Sequence, residues 1–314
     1  MNIKLIKSMV LVGIMFFSYS SQAWWWSKPS TYTQTKYPII LTHGIYGFDS
    51  LVGIDYWHKV PEELAKDGAS VYLTTVSNSN SVEIRGEQLI PQIERILAIT
   101  GASKANLIGH SHGSPTIRYV ASVRPDLVAS ITSIGGVNKG TVVADKIQQG
   151  TEDSKVFAGL ISSLGNALAK VIDFLSGANQ EQDIIASLGS LTTEQSLMFN
   201  VQHPDGVPTS ACGEGDYVAN GIRYYSWSGT KPGTNIFDPL DIITNVAQFF
   251  FPRGVANDGV VSACSSRLGM VIRDDFRMNH LDEVNMLLGL HDIWSTDPLT
   301  VFRSHANRLK KAGL

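Results

Sequence analysis

One pentapeptide limits what this chain can become. Residues 109–113 read Gly109-His110-Ser111-His112-Gly113, a Gly-x-Ser-x-Gly sequence. A short apolar run at 105–108 precedes it, and helical spacing follows, with Ile117, Val120 and Ala121 on one side. Strand, sharp turn and helix form the setting in which a serine is lifted off the end of a sheet as a nucleophile. The glycines matter because a side chain at either position would crowd such a turn. The plain alternative is a strand-to-helix turn with a surface serine, so the rest of the chain has to decide.

The flanking pattern supports the first reading. Residues 37–42 are apolar through Ile39-Ile40-Leu41 and end at His43-Gly44, and 69–76 is a second β-branched run. Residues 82–98 have helical periodicity in Ile84, Leu89, Ile93, Ile96 and Leu97. After the serine and its helix comes another strand-type run, 128–134, before Gly135-Gly136, and later Tyr224-Tyr225-Ser226-Trp227-Ser228. Strands that alternate with helices, and are apolar throughout, predict a mainly parallel sheet with helices on both faces. Residues 155–175 are helical in period and unusually apolar, with Phe157, Leu160, Leu164 and Phe174 among them. They read equally as a core helix or as a lid (about 154–177) inserted after a strand. No internal repeat appears, so residues 24–314 read as one domain with an insertion.

Composition removes some classes of function. A net charge of −3 offers no electrostatic footprint for nucleic acid. No stretch in the body of the chain reads as a membrane span. At the N-terminus, Lys4 and Lys7 precede an apolar stretch at 9–19 and then Ser20-Ser21-Gln22-Ala23. That order reads as a secretory signal cleaved after Ala23, the alternative being a membrane anchor. Trp24-Trp25-Trp26 then lies near the new N-terminus with no role that the sequence assigns. Export also changes how Cys212 and Cys264 read: an even count in an exported chain suggests one disulfide rather than two buried thiols.

A serine hydroxyl attacks only when a base takes its proton, and the base needs an orienting acid. In a strand–turn–helix elbow the chain order is Ser, then acid, then His. Asn257-Asp258-Gly259 precedes apolar residues beside Cys264, so Asp258 is the candidate acid, although the same tripeptide is turn chemistry. Among later histidines, His203 precedes that acid and His305 lies in a basic terminal helix, Arg303–Lys311, that reads as solvated. His280, in a polar turn running into an apolar helix, is first choice for the base and His291 second. An oxyanion needs two backbone N–H donors. His112, after the nucleophile, supplies one, and Ile45, in the loop after the first strand, the other. The imidazoles of His43 and His112 read as structural.

Several segments together resemble one family, the secreted true lipases of the Pseudomonas type, subfamily I.1. They are 33–38, His43-Gly44-Ile45-Tyr46-Gly47, Asp55-Tyr56-Trp57, Arg85-Gly86-Glu87-Gln88-Leu89, 106–113, 209–215, 256–260, 269–274 and 278–285. The resemblance spans nearly all of the chain after the leader. It implies an α/β-hydrolase fold and hydrolysis of acylglycerol esters at a lipid–water interface. Ser111 would be nucleophile, Asp258 acid, His280 base, Ile45 and His112 oxyanion donors, and Cys212–Cys264 the disulfide. It also implies one structural Ca2+, held by Asp238 and Asp282 and by the backbone carbonyls of Met286 and Leu290. Read without the family, those two aspartates are ordinary surface carboxylates. Met286 departs from the glutamine common in relatives, and Ser114 from a common third glycine. A dedicated membrane-anchored foldase, met on the secretion route, is the implied partner. The competing expectations are an esterase for short soluble substrates and an inactive hydrolase fold used for binding.

Overall fold

A computed structural model describes residues 30–45, 56–77, 80–149, 159 and 188–314, without the Leu287 side chain. The expected leader, the Trp24–Trp26 run, Tyr46, Gly47, Asp55 and the expected lid apart from Gly159 lie outside these residues.

The strands are β1 (Ile39–Thr42), β2 (Val71–Thr74), β3 (Ala105–His110), β4 (Val128–Ile134), β5 (Val218–Ala219), β6 (Ile222–Gly229) and β7 (Met270–Phe276). They form one sheet in the order β2-β1-β3-β4-β6, and both β5 and β7 pair with β6. Every pairing is parallel except the short β5 pair. The helices are α1 (Val60–Ala65), α2 (Val82–Thr100), α3 (Gly113–Val123), α4 (Val142–Gln149), α5 (Thr193–Gln202), α6 (Asp241–Ala247), α7 (Ala263–Ser266), α8 (Met286–Gly289) and α9 (Pro298–Lys311).

Strand residues alternate between two cores. Ile40, Leu107 and Ile131 pack with Leu89, Ile93 and Leu97 of α2. Ile39, Leu41, Ile108, Ile134 and Trp227 face the other way, onto Leu64 of α1 and Phe302 of α9. Covering both faces is why β1, β3 and β4 contain no exposed position and read as apolar runs. The sheet is thus mainly parallel and covered on both faces, as the spacing predicted.

Two expectations change at the boundaries. β2 is shorter than 69–76 because its one partner, β1, stops at Thr42; past that point Val76 N–H donates to His43 Nε2 (3.3 Å) instead of to a strand. The terminal helix begins at Pro298, where the Asp297 side chain accepts the Leu299 N–H (2.8 Å), and it buries His305 instead of exposing it. His305 Nδ1 accepts from Arg308 (3.2 Å), so Nε2 carries the proton and donates to Thr132 Oγ1 (2.8 Å). A histidine read as solvated therefore ties α9 to the sheet, and burial pushes its pKa down to about 3. No helix among the described residues is long and apolar enough to cross a membrane.

Candidate active site

β3 ends at His110 and α3 begins at Gly113, so Ser111 sits in the turn between them. Its φ is 55°, a left-handed value that costs a non-glycine residue about 1–3 kcal/mol. The surroundings impose that value. Ser111 N–H donates to the Ile134 carbonyl (3.0 Å) and its own carbonyl accepts from Ser114 N–H (3.0 Å). A Cβ on Gly109 would run into the Gly113 backbone, and one on Gly113 into the Thr42 carbonyl. Ser114, the departure from glycine, uses its hydroxyl to bond the Gly109 carbonyl (2.8 Å) across the turn.

Asp258 is both a turn residue and a partner for His280. Asn257 bridges to Ser262, and Gly259 takes a φ of 100° that suits glycine. That turn leaves Asp258 Oδ1 to accept the N–H groups of Val260 (2.8 Å) and Val261 (2.7 Å). Its Oδ2 accepts from His280 Nδ1 at 2.8 Å, and the His280 N–H donates to the Asp258 carbonyl at 3.0 Å. With the Nδ1 proton directed at the carboxylate, Nε2 is the acceptor in the neutral ring. It is buried and has no hydrogen-bond partner. Ser111 and His280 line one cleft of about 130 Å³ whose other walls are mainly apolar, including Ile45, Val137, Leu191 and Leu281.

Behind the cleft runs a chain of hydrogen bonds that the sequence reading missed. Gly44 N–H donates to the Tyr56 hydroxyl (2.9 Å), which donates to His110 Nδ1 (2.5 Å). His110 Nε2 donates to the His280 carbonyl (2.8 Å). Each role is forced, because a carbonyl only accepts and an amide N–H only donates. The chain joins the loop that carries Ile45 to His280. Burial, then the neighbouring His280, holds the His110 pKa well below its ordinary value. Glu283 was missed too. It is fully buried under the Asp258–His280 pair, with Oε1 accepting the Gly229 N–H (2.5 Å). Burial, then the charge of Asp258, pushes its carboxyl far above the usual range. A Cβ at Gly135 would strike Glu283 Oε2, which is why glycine stands at the end of β4.

The remaining candidates separate cleanly. Ile45 lines the cleft and His112 sits at the start of α3. His43 donates through Nδ1 to the Gly44 carbonyl (2.8 Å), while the buried Arg85 donates to the His43 carbonyl (2.7 Å) and to Thr116 Oγ1 (3.1 Å). Burial, then Arg85, lowers His43 to about 4, so the ring stays neutral and holds the loop. The His112 pKa also lies well below its ordinary value, again through burial. His203 bonds Ser122 Oγ (2.8 Å) and His291 the Gly289 carbonyl (2.8 Å); neither lines the cleft.

Asp238 and Asp282 are buried, against the surface reading of the bare sequence, and Asp241 joins them. One carboxylate oxygen from each of the three lies within 4.8 Å of the others. Asp241 accepts from Thr234 N–H (2.6 Å), Asn235 N–H (2.8 Å) and Asn279 Nδ2 (2.6 Å). Asn279 in turn caps the turn after His280, its Oδ1 accepting from Leu281 and Asp282 N–H (both 2.9 Å). Asp282 Oδ1 is buried with no hydrogen-bond partner. Burial is the first cause that raises Asp238 to about 7 and Asp282 to about 8. Hard oxygens, crowded and desolvated with one left over, fit a hard divalent cation. Met286 opens α8, four residues after Asp282, and Leu290 follows its end.

Cys212 and Cys264 are bonded, closing a separation of 52 residues. Cys264 lies in α7, directly after the Asp258 turn, so the bridge anchors that turn to the 209–214 loop.

The α/β-hydrolase fold family matches residues 37–283. A triacylglycerol lipase of Vibrio cholerae is 55% identical over 316 residues, covering 98% of this chain and 99% of the relative. Triacylglycerol lipases of Pseudomonas fragi and Burkholderia plantarii are 38% and 37% identical, covering 89% and 90% of this chain and 98% and 88% of theirs. Among solved structures, a lipase from Bacillus licheniformis superposes with a TM-score of 0.59 at 17% identity, over 88% of this chain and 93% of that one. The chain belongs to the α/β-hydrolase fold family and, within it, to the family of these bacterial triacylglycerol lipases.

Proposed function

We propose that the chain hydrolyses triacylglycerol esters through Ser111, His280 and Asp258. The observation that carries this reading is His280 Nε2, buried, unpartnered and on the same apolar cleft as Ser111, while Nδ1 is fixed on Asp258. His280 Nε2 takes the proton of Ser111 Oγ as the hydroxyl attacks the ester carbonyl. The oxyanion forms against the N–H groups of Ile45 and His112. Collapse breaks the ester bond, and His280 returns the proton to the leaving glycerol oxygen. Water then attacks the acyl-Ser111 ester with His280 again as base, releasing the fatty acid and the free serine. Asp258 stays ionised and stabilises the imidazolium. The apolar walls suit an acyl chain and shed water, which strengthens these charge interactions.

Asp238, Asp282 and the Met286 and Leu290 carbonyls are the proposed holders of one Ca2+, with Asp241 arranging them. When bound, the ion neutralises buried carboxylates and stiffens the turn that follows His280. Residues 1–23 serve as a leader removed after Ala23, and the chain is secreted through the periplasm, where a dedicated foldase assists it. Residues 154–177 act as the lid over the cleft.

Hydrolysis of emulsified triolein and of a soluble butyrate ester, by the unaltered chain and by Ser111→Ala, tests the reading. The expected outcome is turnover of both by the first and of neither by the second, with unchanged melting. Turnover of the soluble ester alone would make the protein an esterase, and activity in Ser111→Ala would remove the nucleophile.

A further inference from the structure

Two short turns on the active-site side of the sheet are built alike. β6 and β7 run parallel to β3, so the segments that follow them leave the sheet at the edge that carries Ser111. After β6 comes Asn235-Ile236-Phe237-Asp238, and after β7 comes Asp292-Ile293-Trp294-Ser295. In the first, the Asn235 side chain accepts from Phe237 N–H (3.0 Å) and its carbonyl from Asp238 N–H (2.9 Å). In the second, the Asp292 side chain accepts from Trp294 N–H (2.9 Å) and its carbonyl from Ser295 N–H (2.8 Å). Each is a β-turn closed by its own first side chain, with an aliphatic–aromatic pair in the two central positions.

All four central side chains point into solvent. Their exposures are 93% for Ile236, 79% for Phe237, 82% for Ile293 and 79% for Trp294. A single exposed apolar residue needs no explanation, but two such pairs together do. The turns are neighbours, since Asn235 Nδ2 donates to the His291 carbonyl (3.4 Å). Neither is slack. Asn235 N–H is held by Asp241, and Asp292 by Lys231 (2.6 Å) and Arg277 (2.8 Å). Those two cations share Asp292, and Asp238 and Asp241 stand at the first turn, so three carboxylates face two cations and no basic excess surrounds the apolar tips.

We infer that these two turns form a fixed anchor that enters the surface of an uncharged glyceride droplet and holds the cleft mouth against it. The inference rests on the lipase reading and is separate from the proposed lid. Rigid tips suit this role, because little side-chain and loop freedom remains to be lost on docking. Trp294 suits it further, since indole favours the boundary between water and acyl chains. The pairing of the nearby cations favours a neutral lipid surface over an anionic one.

The test uses the Ser111→Ala chain, which binds without consuming its lipid, and triolein droplets beside anionic phospholipid vesicles. Trp294 emission, taken as the difference from a Trp294→Phe version, is expected to shift to the blue on droplets and to be quenched by brominated acyl chains. In the Ser111→Ala chain, Ile236→Ser with Phe237→Ser, or Ile293→Ser with Trp294→Ser, should weaken partition onto droplets by at least about a hundredfold, as expected for removing two large apolar side chains from a buried state. With Ser111 intact, the same pairs should leave hydrolysis of a soluble butyrate ester unchanged. Trp294 emission that ignores droplets overturns the inference without any altered fold. So does wild-type partition by the paired variants, stronger binding to anionic vesicles than to droplets, or a dimer in sedimentation that the variants dissolve. Absence of triolein hydrolysis by the unaltered chain would instead remove the lipase reading.

Discussion

Each side chain of the proposed triad is positioned by groups outside it. Ser111 is held at positive φ by backbone bonds to Ile134 and Ser114 in a turn that two glycines leave room for, and His280 is fixed from both sides, Asp258 at its ring and His110 at its carbonyl. Tyr56 is the joint in that arrangement, accepting from Gly44 and donating to His110. Tyr56→Phe would keep the ring packing and remove both bonds, leaving a buried N–H and a buried imidazole nitrogen unpaired. Such a loss costs about 1–3 kcal/mol. Part of it should appear as about a tenfold fall in kcat on a soluble ester with little change in KM, because the loop carrying Gly44 also carries Ile45, the proposed oxyanion donor. Steady-state kinetics beside a melting curve check this; a fall in stability with kcat intact would make Tyr56 a packing residue only. Asp258→Asn asks a different question. It preserves shape while exchanging an acceptor for an amide, so His280 loses its tautomer. By analogy with other serine triads kcat should fall about 10⁴-fold, with KM nearly unchanged.

At the scale of elements, legibility followed burial. Strands β1, β3 and β4 are buried on both faces, so they were plain as continuous apolar runs, and the elbow between β3 and α3 was plain from its glycines. Edge strand β2 was overextended because its β-branched run outlasts its partner. Asp258 and His280 were reachable through chain order and turn chemistry. Glu283, Asp241 and the His110–Tyr56 chain were not, because their meaning depends on what lies across the fold: Glu283 beneath Gly135, Asp241 against Asn279. His305 was misread for the same reason, since its burial is set by Thr132, a residue 173 positions away. The two cysteines were legible by count, and their bridge meets the acid turn through α7. Replacing both with serine should lower unfolding stability by about 4 kcal/mol less any relieved strain, on the loop-entropy account. The rate at 25 °C should fall much less, because the bridge holds the Asp258 turn without touching substrate. Urea titration with parallel ester assays separates the two effects, and a rate that collapses while the midpoint holds would contradict this division.

For the molecule as a whole, the carboxylate cluster joins the segment after β6, through Asp238 and Asp241, to the segment after β7, through Asp282 and Asn279. His280 lies on the second of these, so an ion bound there would couple global stability to the position of His280. The pH sign follows from the carboxyl groups. In the metal-free fold Asp238 is raised to about 7 and Asp282 to about 8, whereas the unfolded chain ionises both near 3.8. Between those values the native state holds more protons than the unfolded one, so these groups make stability fall as pH rises. Ca2+ binds the ionised form and removes that burden, so its benefit grows over the same window. The difference in Tm between calcium-loaded and chelated protein should therefore be small near pH 5, large at pH 8 and at its full size only above that. With free ion at 100 times Kd it is worth about 2.7 kcal/mol. Asp238→Asn, which keeps the shape and deletes one charge, should shrink the difference at pH 8 and leave pH 5 nearly untouched. Soluble-ester activity should track the melting data, because losing the ion frees the turn after His280. Scanning calorimetry at the two pH values, with calcium and with a chelator, decides the matter. A chelation effect equal at both would mean that the ion sits elsewhere, and no effect at either would remove the calcium site.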